Sequence, residues 1–356
     1  MKPVPTWEVR RILFVRPRFL GDLCLTLPAV DAALAACPGA KAAYVTEAPL
    51  APLLEGDPRF SEVISVPARP SPRETLQLVR KLRAFAPDVA FDFFCNPRSA
   101  VWTRASGARV RVGYPGKGWR SSLYTHHARP RALSSTAFHA ASIAALGWPL
   151  PVPLPSPRLA VAASSRAEAR DALRRMSVPD DALLVGFHPG ARWPTRRWAP
   201  ERFAELAQRA LDAHPRAFAL VTAGPGETEA AEKALAPLPP ERARLVEGWP
   251  IARFAALQSQ CAAFVCGDTG PLHTAVAAGA PTLGLISRNR PAMFFPYDER
   301  DGHRAYTARV ECSPCDRDAC ADLRCLTRLT VDGAWERLAS MLAGPRSAEG
   351  VPLPRL

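Results

Sequence analysis

The sequence lacks any apolar segment long enough to span a membrane. A helix needs about 20 consecutive apolar residues to cross a bilayer, and no run in the 356 residues approaches that length. Near the amino terminus only Ile12–Val15 is continuously apolar before Arg16 follows, which is too short for the apolar core of a secretory signal. We therefore expect a cytoplasmic protein whose nine cysteines are reduced thiols.

Signatures of two other protein classes are also missing. There is no basic tail and no Arg/Lys run interleaved with aromatic residues, so the net charge of +13 does not by itself indicate a nucleic-acid-binding protein. The charge does predict an anionic partner, such as nucleotide phosphates, an acidic glycan or a membrane surface. The first apolar segment is followed by the single glycine Gly21 and not by G-x-G-x-x-G, which disfavours a nicotinamide-dependent oxidoreductase.

Short apolar runs alternate with longer amphipathic segments throughout the chain. Pro28 suits the first turn of the first helix. This βαβ rhythm predicts mostly parallel sheets covered by helices. In the first half we predict strands at 12–15, 42–46, 63–66 and 89–94 and helices at 28–36 and 73–84; in the second half we predict strands at 183–187, 217–222, 262–266 and 282–286 and helices at 200–213, 251–260 and 271–278.

Five prolines within Trp148–Pro157 separate the two halves. Such a segment forms neither a helix nor a central strand, so we predict a stiff extended linker. We place an N-terminal lobe at 1–155, a C-terminal lobe at 156–335 and a last helix and tail at 336–356. Two similar α/β lobes that face each other leave a cleft, and parallel sheets bind ligands at the carboxyl ends of their strands.

The segment Gly267–His273 (GDTGPLH) joins a predicted strand to a predicted helix. Asp268 or Thr269 can cap that helix, and Pro271 suits its first turn. Gly270 lets a ligand approach the backbone, and the free N–H groups and positive dipole end of the helix favour a phosphate. A plain strand-to-helix turn is the alternative.

A second loop, His188–Trp198, also follows a strand and precedes a helix. Its arginines, Arg192, Arg196 and Arg197, can neutralise a diphosphate without a metal. A solvated basic loop is the alternative. We favour a functional role because this loop belongs at the same sheet edge as Gly267–His273.

A third loop, Arg16–Pro28, carries a Gly-Asp pair just after the first strand. The carboxylate of Asp22 can point into the cleft and remove a proton from an acceptor hydroxyl as a general base. The alternative is a helix N-cap, a position that aspartate often fills.

Together these segments resemble the glycosyltransferase family of bacterial ADP-heptose:lipopolysaccharide heptosyltransferases. The resemblance spans nearly the whole chain in family order, and it is specific for the family but not for the substrate. The matching motifs are Arg11-Ile12-Leu13, Leu20-Gly21-Asp22 and Thr26-Leu27-Pro28; Pro189-Gly190-Ala191 with Arg197-Trp198; and Gly267–His273 with Gly279-Ala280-Pro281-Thr282.

The resemblance implies an α/β GT-B fold, in which two Rossmann-like parallel-sheet lobes face a central cleft and the last helix returns to the N-terminal lobe. It also implies inverting, metal-independent sugar transfer, with ADP-heptose as the expected nucleotide-sugar donor and no cofactor. The expected acceptor is an anionic glycolipid or glycan, a lipopolysaccharide core or a similar cell-envelope glycan. Asp22 is then the catalytic base.

The resemblance further implies which residues bind the donor. Arg196 holds the phosphates, and Arg197 follows it in place of a lysine-containing pattern, so the phosphate contact can shift by one position. The donor-binding set is Gly190, Ala191, Arg196, Arg197, Asp268, Thr269, Gly270, Pro271 and His273. Departure of a nucleoside diphosphate leaves an oxocarbenium-like sugar, and fixed arginines and a helix N-terminus stabilise the charge on the leaving group.

Two features leave the substrates open. Ile286–Arg290 stands where the family commonly has a Gly-Pro-Thr-like loop, so the donor sugar is not determined. For the acceptor we name Arg18, Asn96 and Arg98, and the loop Gly113–Lys117, on the N-terminal lobe.

Four of the cysteines, Cys312, Cys315, Cys320 and Cys325, have the spacing C-x2-C-x4-C-x4-C. Four thiolates can hold a structural zinc ion. We favour free thiols and no metal, because the segment follows a complete transferase pattern.

The leading hypothesis is therefore a cytoplasmic glycosyltransferase. The charge of +13 is compatible with peripheral contact at the inner face of the inner membrane, and we expect no nucleic acid partner. A catalytically weakened relative that serves as a binding or assembly protein is the alternative, and only an activity assay separates the two.

Overall fold

The structure, a computed structural model, describes residues 3–116, 118–131, 134–315 and 317–343. The chain divides after Ala160 into two compact units, close to the boundary predicted at 155. Among the described residues no helix is both long enough and apolar enough to cross a membrane.

The N-terminal unit contains one six-stranded sheet in which every neighbouring pair of strands is parallel. Its strands are β1 (Arg11–Val15), β2 (Lys41–Glu47), β3 (Glu62–Val66), β4 (Val89–Asp92), β5 (Val110–Gly113) and β6 (His126–His127), and its helices are α1 (Leu20–Ala36), α2 (Pro72–Phe85), α3 (Pro97–Ala105) and α4 (Ser135–Ala144). The strand order is β3-β2-β1-β4-β5-β6. The inner strands are buried on both faces, which is why the sequence shows them as continuous apolar runs.

The helices of this unit form separate layers. Helix α1 packs against α4, whereas α3 packs against both α2 and the short 3-10 turn Gly118–Leu123. Leu78 and Leu82 of α2 and Trp102 of α3 are buried in one cluster with side chains of the central strands. Helices α2 and α3 and the 118–123 turn therefore form one continuous layer over the sheet.

Helix α1 begins at Leu20, well before the predicted start at residue 28. Pro28 therefore lies inside the helix, and its assignment to the first turn was wrong. Burial of Leu23, Leu25 and Leu27 outweighs the one hydrogen bond that a proline removes. The longer helix places Asp22 in its first turn.

The C-terminal unit repeats the architecture of the first. Its elements are α5 (Ala163–Arg175), β7 (Leu183–His188), α6 (Pro200–Ala213), β8 (Ala217–Ala223), α7 (Thr228–Leu235), β9 (Ala243–Glu247), α8 (Ile251–Gln258), β10 (Ala263–Gly267), α9 (Gly270–Ala277), β11 (Thr282–Ile286), α10 (Pro291–Phe294), β12 (Arg304–Thr307), α11 (Arg324–Thr327) and α12 (Val331–Ala343). The sheet is parallel, with strand order β12-β11-β10-β7-β8-β9. Two Rossmann-like parallel sheets confirm the predicted fold class.

Helix α12 starts at Val331, not at the predicted residue 336. It packs against α6, and its buried residues Val331, Ala334 and Leu338 belong to the core of the C-terminal unit. The last helix was predicted to return to the N-terminal lobe, but Val331–Ala343 belongs to the C-terminal unit. Residues 344–356 lie outside the described residues.

Candidate functional site

Four loops of the C-terminal unit meet at one edge of its sheet. They follow β7, β8, β10 and β11, and because these strands are parallel, their carboxyl ends lie on the same side. Two of the loops are those predicted to bind the donor. The other two, after β8 and β11, carry residues that the sequence reasoning missed.

Asp268 is the centre of this edge. It is buried, and its backbone carbonyl accepts a hydrogen bond of 2.9 Å from Arg196 Nη1. The same guanidinium nitrogen lies 3.4 Å from Asp268 Oδ2, which also accepts a hydrogen bond from Asn289 Nδ2. The structure thus brings the predicted residues Arg196 and Asp268 into direct contact. Asn289 belongs to the segment that departs from the family pattern, and no motif marks it in the sequence.

His273 lies nearest the other carboxylate oxygen of Asp268. Its Nε2 is 3.9 Å from Asp268 Oδ1, and its Nδ1 shares a hydrogen bond of 2.5 Å with the Tyr297 hydroxyl. Tyr297 is a second residue that the sequence reasoning did not identify. Since His273 is buried and held from one ring nitrogen, its orientation is defined before any ligand binds.

Helix α9 starts directly after Asp268. Thr269 is the residue before its first turn and makes no side-chain cap hydrogen bond, and Pro271 is in the first turn as predicted. Thr269, Gly270 and Pro271 are partly exposed. The first-turn N–H groups thus lack a side-chain cap from Thr269, an arrangement that suits an anion.

Gly267 explains how the two predicted donor loops come together. A Cβ atom at this position would lie 2.6 Å from the backbone oxygen of Arg196. Only glycine therefore allows the Arg196 backbone to approach the end of β10 so closely. This contact places the Arg196 guanidinium beside Asp268.

Arg197 has a different environment from Arg196. Its Nε donates a 2.7 Å hydrogen bond to the carbonyl of Ala191, and its Nη2 donates one of 3.3 Å to the carbonyl of Arg192. These bonds stabilise the backbone of its own loop. The structure therefore supports Arg196, and not Arg197, as the arginine directed at Asp268.

Glu227 follows β8 and adds a carboxylate to the same edge. His188 Nε2 lies 3.1 Å from Glu227 Oε2, which also accepts a 3.0 Å hydrogen bond from the Gly224 N–H. Burial works against ionisation, but the bonds from His188 and Gly224 outweigh it and hold the pKa of Glu227 below its ordinary value. A Cβ at Gly190 would lie 2.4 Å from this carboxyl group, so Gly190 makes room for Glu227. The turn Gly224-Pro225-Gly226 before Glu227 was the available sequence signal.

Cys312, Cys315 and Cys320 belong to residues 308–315 and 317–323, here called the cysteine segment. This segment is attached to the sheet edge through hydrogen bonds to backbone carbonyls. Thr195 Oγ1 donates a hydrogen bond of 3.0 Å to the carbonyl of Arg317, and the Cys315 N–H donates one of 3.0 Å to the carbonyl of Arg288. Ser287 Oγ in turn donates a hydrogen bond of 2.6 Å to the carbonyl of Thr195. The loop after β11 is therefore held between the cysteine segment and the Arg196 loop.

The four cysteines of the predicted cluster differ in exposure. Cys312 is exposed, Cys315 and Cys320 are partly exposed, and Cys325 is buried. Burial and the neighbouring thiols raise the pKa of Cys325. Within the part of the chain that the structure describes, no three His, Cys, Asp or Glu side chains are arranged to hold a metal ion.

In the N-terminal unit, Asp22 forms an ion pair with a buried arginine. Arg16 Nη2 lies 2.7 Å from Asp22 Oδ1, and Arg16 Nη1 donates to the carbonyl of Phe93. The Asp22 side chain is 36% exposed, whereas Arg16 is buried. The residue before the first turn of α1 is Phe19, so Asp22 is not the N-cap. One carboxylate oxygen is thus fixed by Arg16 at a surface that a hydroxyl can reach.

The three predicted acceptor residues lie around the same sheet edge, with structural contacts of their own. The Arg18 guanidinium lies over the rings of Phe19 and Phe94. Asn96 caps α3 by accepting a hydrogen bond from a first-turn N–H. Arg98 contacts Glu47 at 3.3 Å. Of the predicted loop 113–117, residue 117 lies outside the described residues.

Asp92 shapes the loop that carries Asn96. Its buried carboxylate accepts hydrogen bonds from the Phe94 and Cys95 N–H groups and from the Tyr124 hydroxyl. Burial raises the pKa of Asp92, and these donors oppose that rise. Sequence reasoning assigned this stretch to a strand and missed the role of its carboxylate.

Comparison with known proteins adds a family to this geometry. The sequence matches the model of glycosyltransferase family 9 (heptosyltransferase) over residues 75–324. It is 27% identical over 368 residues to lipopolysaccharide heptosyltransferase 1 of Pseudomonas aeruginosa, and the alignment covers 95% of this chain and 99% of that relative.

Solved structures share the fold. A glycosyltransferase family 9 protein from Veillonella parvula superposes with a TM-score of 0.82 at 18% identity, covering 96% of this chain and 99% of that one. The ADP-heptose LPS heptosyltransferase II of E. coli superposes with a TM-score of 0.76 at 22% identity, covering 93% and 98%. At these identities the similarity establishes the GT-B fold alone.

Proposed function

Since the chain belongs to glycosyltransferase family 9, the heptosyltransferases, we propose that it transfers a heptose from ADP-heptose to a lipopolysaccharide core or a similar cell-envelope glycan. The family predicted from the three loops is confirmed, and the protein is a glycosyltransferase. The donor and the acceptor are proposals. They are supported by the names of two relatives, a lipopolysaccharide heptosyltransferase and an ADP-heptose transferase.

The observation that carries the proposal is the group formed by Arg196, Asp268 and Asn289 beside the N-terminus of α9. A guanidinium and a helix N-terminus favour an anion such as a diphosphate. We propose that the pyrophosphate of the donor binds here, along Thr269, Gly270 and Pro271. His273, held by Tyr297, contacts the donor sugar or phosphate.

The reaction we propose is a single displacement. The acceptor hydroxyl attacks the anomeric carbon of the heptose, the bond from that carbon to the β-phosphate oxygen breaks, and its electron pair leaves with ADP. Asp22 accepts the hydroxyl proton. Because the attack comes from the side opposite the leaving group, the anomeric configuration inverts. Arg196 and the N–H groups of α9 stabilise the charge that develops on ADP, which makes an essential metal unnecessary.

A thermal-shift experiment on the full chain tests the donor. We expect ADP to raise the unfolding temperature more than UDP, GDP or NAD, since a ligand at 100 times its Kd adds about 2.7 kcal/mol of stability. The variant Arg196→Gln should lose most of that shift, whereas Arg175→Gln, an exposed change on α5, should keep it. Equal shifts with all nucleotides would contradict an ADP-linked donor.

Three further measurements test the mechanism. With ADP-heptose and a core acceptor, NMR of the product should show the inverted anomeric configuration. Turnover should persist in EDTA, and the purified protein should contain almost no zinc. Retention of configuration, or loss of turnover that Mg²⁺ or Zn²⁺ restores, would overturn the inverting, metal-independent reaction.

A further inference from the structure

The basic charge of the chain is concentrated in its N-terminal part. Residues 1–160 contain 21 Lys and Arg and 10 Asp and Glu, a net charge of +11, whereas residues 161–356 contain 25 and 23, a net charge of +2. A general enrichment in arginine would raise the charge of both parts equally. The N-terminal unit is therefore where an anionic partner binds best.

Within that unit the charge is highest on one layer, formed by α2, α3 and the turn Gly118–Leu123. We call this the basic layer. Its three segments contain seven Lys and Arg but only one acidic residue, Glu74. The Glu74 carboxylate is engaged in the capping box of α2 with Ser71. The outer side of the basic layer is thus almost free of negative charge.

Helix α2 presents an apolar side chain among its arginines. Leu78 and Leu82 are buried against the sheet, and Leu76 lies on the opposite side, 50% exposed. Arg73 and Arg80 are three residues before and four residues after Leu76, so helical periodicity puts all three on one outward stripe. Both arginines are exposed.

The rest of the layer repeats this combination. On α3, Val101 is 45% exposed and shares its side of the helix with the exposed Arg104. On the adjoining turn, Trp119 is 62% exposed. Three of the six exposed large apolar side chains among the described residues therefore lie on this layer. None of them contributes to the core.

Arginines that surround exposed leucine, valine and tryptophan side chains are typical of surfaces that lie in a membrane interface. Tryptophan is favoured at the level of the lipid headgroups, and basic residues are attracted to anionic lipids. A second copy of the same surface would place arginines against arginines, which opposes self-association. Nucleic acid would contact the charges but leaves the apolar side chains unexplained.

We propose that the basic layer docks the protein on an anionic lipid bilayer, with Trp119, Val101 and Leu76 inserted among the headgroups and the arginines on the lipid phosphates. The proposal rests on the proposed function in one respect, that the acceptor is a membrane glycolipid. Docking raises the concentration of the enzyme at the surface that holds this acceptor.

Flotation with vesicles tests the proposal on the full chain. The wild type should float with vesicles of phosphatidylcholine and phosphatidylglycerol and stay behind with phosphatidylcholine alone, and added salt should release it. The pair Arg80→Gln and Arg104→Gln should lower the partition coefficient roughly 30-fold, because each basic residue near an anionic surface contributes about 1 kcal/mol. Trp119→Ser should lower it roughly tenfold through lost apolar insertion.

Matched variants outside the basic layer serve as controls. Trp7→Ser removes a tryptophan that is 75% exposed, and the pair Arg170→Gln and Arg175→Gln removes two exposed charges from α5. Both controls should float like the wild type. Equal loss in controls and test variants, or no flotation of the wild type, would overturn the assignment. Concentration-dependent dimers of the wild type that Trp119→Ser abolishes would assign the surface to a second copy instead.

Two measurements separate this proposal from the proposed function. All variants should keep the ADP-induced thermal shift and should transfer heptose to a lipid-free core acceptor at the wild-type rate, while transfer to acceptor in anionic vesicles falls for the basic-layer variants alone. If the wild type binds ADP but never floats, the docking surface is wrong and the transferase proposal stands. If ADP does not bind at all, the transferase proposal fails whatever the vesicles show.

Discussion

Asp22 is the residue on which the proposed mechanism depends most directly. A carboxylate at the start of a helix commonly has a structural role, and the pair with Arg16 is part of such a role. Two facts distinguish Asp22 from a simple cap. Its side chain is partly exposed, and the buried Arg16 holds one oxygen while the rest of the carboxylate remains accessible.

The first prediction concerns this carboxylate. Asp22→Asn keeps a side chain that Arg16 can hold but removes the proton acceptor. We expect transfer to fall roughly 100- to 10,000-fold, the usual contribution of a general base, with the Kd for ADP unchanged. The exposed change Glu55→Gln is the control and should leave the rate as it was. A normal rate in Asp22→Asn would mean that another group takes the proton.

A second prediction at this scale concerns His303. It is buried, its Nδ1 has no hydrogen-bond partner within the described residues, and burial lowers its pKa from 6.5 to about 4. The charge of Asp301 opposes this shift only in part. As the pH falls, the unfolded chain therefore binds a proton at this position before the folded chain does. Stability from the neutral histidine is complete above pH 6.5 and is lost progressively towards pH 4.

Urea unfolding of the wild type and of His303→Gln across this pH range checks the prediction. The wild type should lose up to about 3 kcal/mol more than the variant between the two limits. His139, which is also buried with a lowered pKa, is present in both proteins and cancels in the difference. Parallel pH profiles would show that folding does not lower the pKa of His303, and would contradict the prediction.

At the scale of elements, the loop after β11 departs from the family pattern, and it lies at the sheet edge where we propose that the donor binds. The structure gives that departure a context. Asn289 contacts Asp268, Ser287 holds the carbonyl of Thr195, and the cysteine segment contacts the same loop from its other side. The cysteine segment thus supports the loop after β11 and the Arg196 loop, a structural role that the spacing of its cysteines did not reveal.

The third prediction tests this arrangement. Thr195→Val preserves the shape of a buried side chain but removes the hydroxyl that donates to the carbonyl of Arg317. We expect a loss of about 1–3 kcal/mol, the cost of a buried polar group without its partner, and weaker ADP binding because the Arg196 loop loses its support. Thr307→Val, an exposed change on β12, is the control for calorimetry and nucleotide titration. Full stability and affinity in Thr195→Val would exclude a supporting role for the cysteine segment.

At the scale of the whole molecule, the two units have the same architecture and different charge. The C-terminal unit has nearly balanced charge, and its Arg196 donates a hydrogen bond to the carbonyl of Asp268 at the sheet edge. The N-terminal unit has most of the excess positive charge. We expect this difference to separate the two ligands, with the nucleotide bound by the former and the anionic acceptor by the latter.

The fourth prediction follows from this division. In hydrogen exchange on the full chain, ADP should protect backbone amides at the ends of β7 and β10 and in the first turn of α9, since bound ligand stabilises the segments that contact it. Amides of the basic layer should exchange at the same rate with and without ADP. UDP at the same concentration is the control. Protection confined to residues 1–160 would place the nucleotide in the N-terminal unit and contradict the prediction.

Much of the molecule was determined by the sequence itself. Buried parallel strands appear as continuous apolar runs, so β11 was predicted with its observed bounds. The amphipathic pattern after Pro200 likewise predicted α6 with its observed bounds. The GT-B fold and the family followed from motifs in which backbone requirements restrict the residue type, such as Gly267 against the Arg196 backbone. Local chemistry of this kind is encoded within a few neighbouring residues, and a sequence therefore reveals it.

The remainder depended on contacts between residues far apart in the chain, which only the tertiary structure decided. Burial of the segment before Pro28 extended α1 past the point where a proline normally starts a helix, and this placed Asp22 in its first turn. Asn289 and Glu227 became visible only when strand order brought their loops to one edge of the C-terminal sheet, and Arg16 only when the N-terminal unit placed its guanidinium against Asp22. Their partners lie several to more than twenty residues away, and an isolated side chain has no pattern that announces such a contact. The family was thus readable from local motifs, whereas the detailed composition of the site was set by packing.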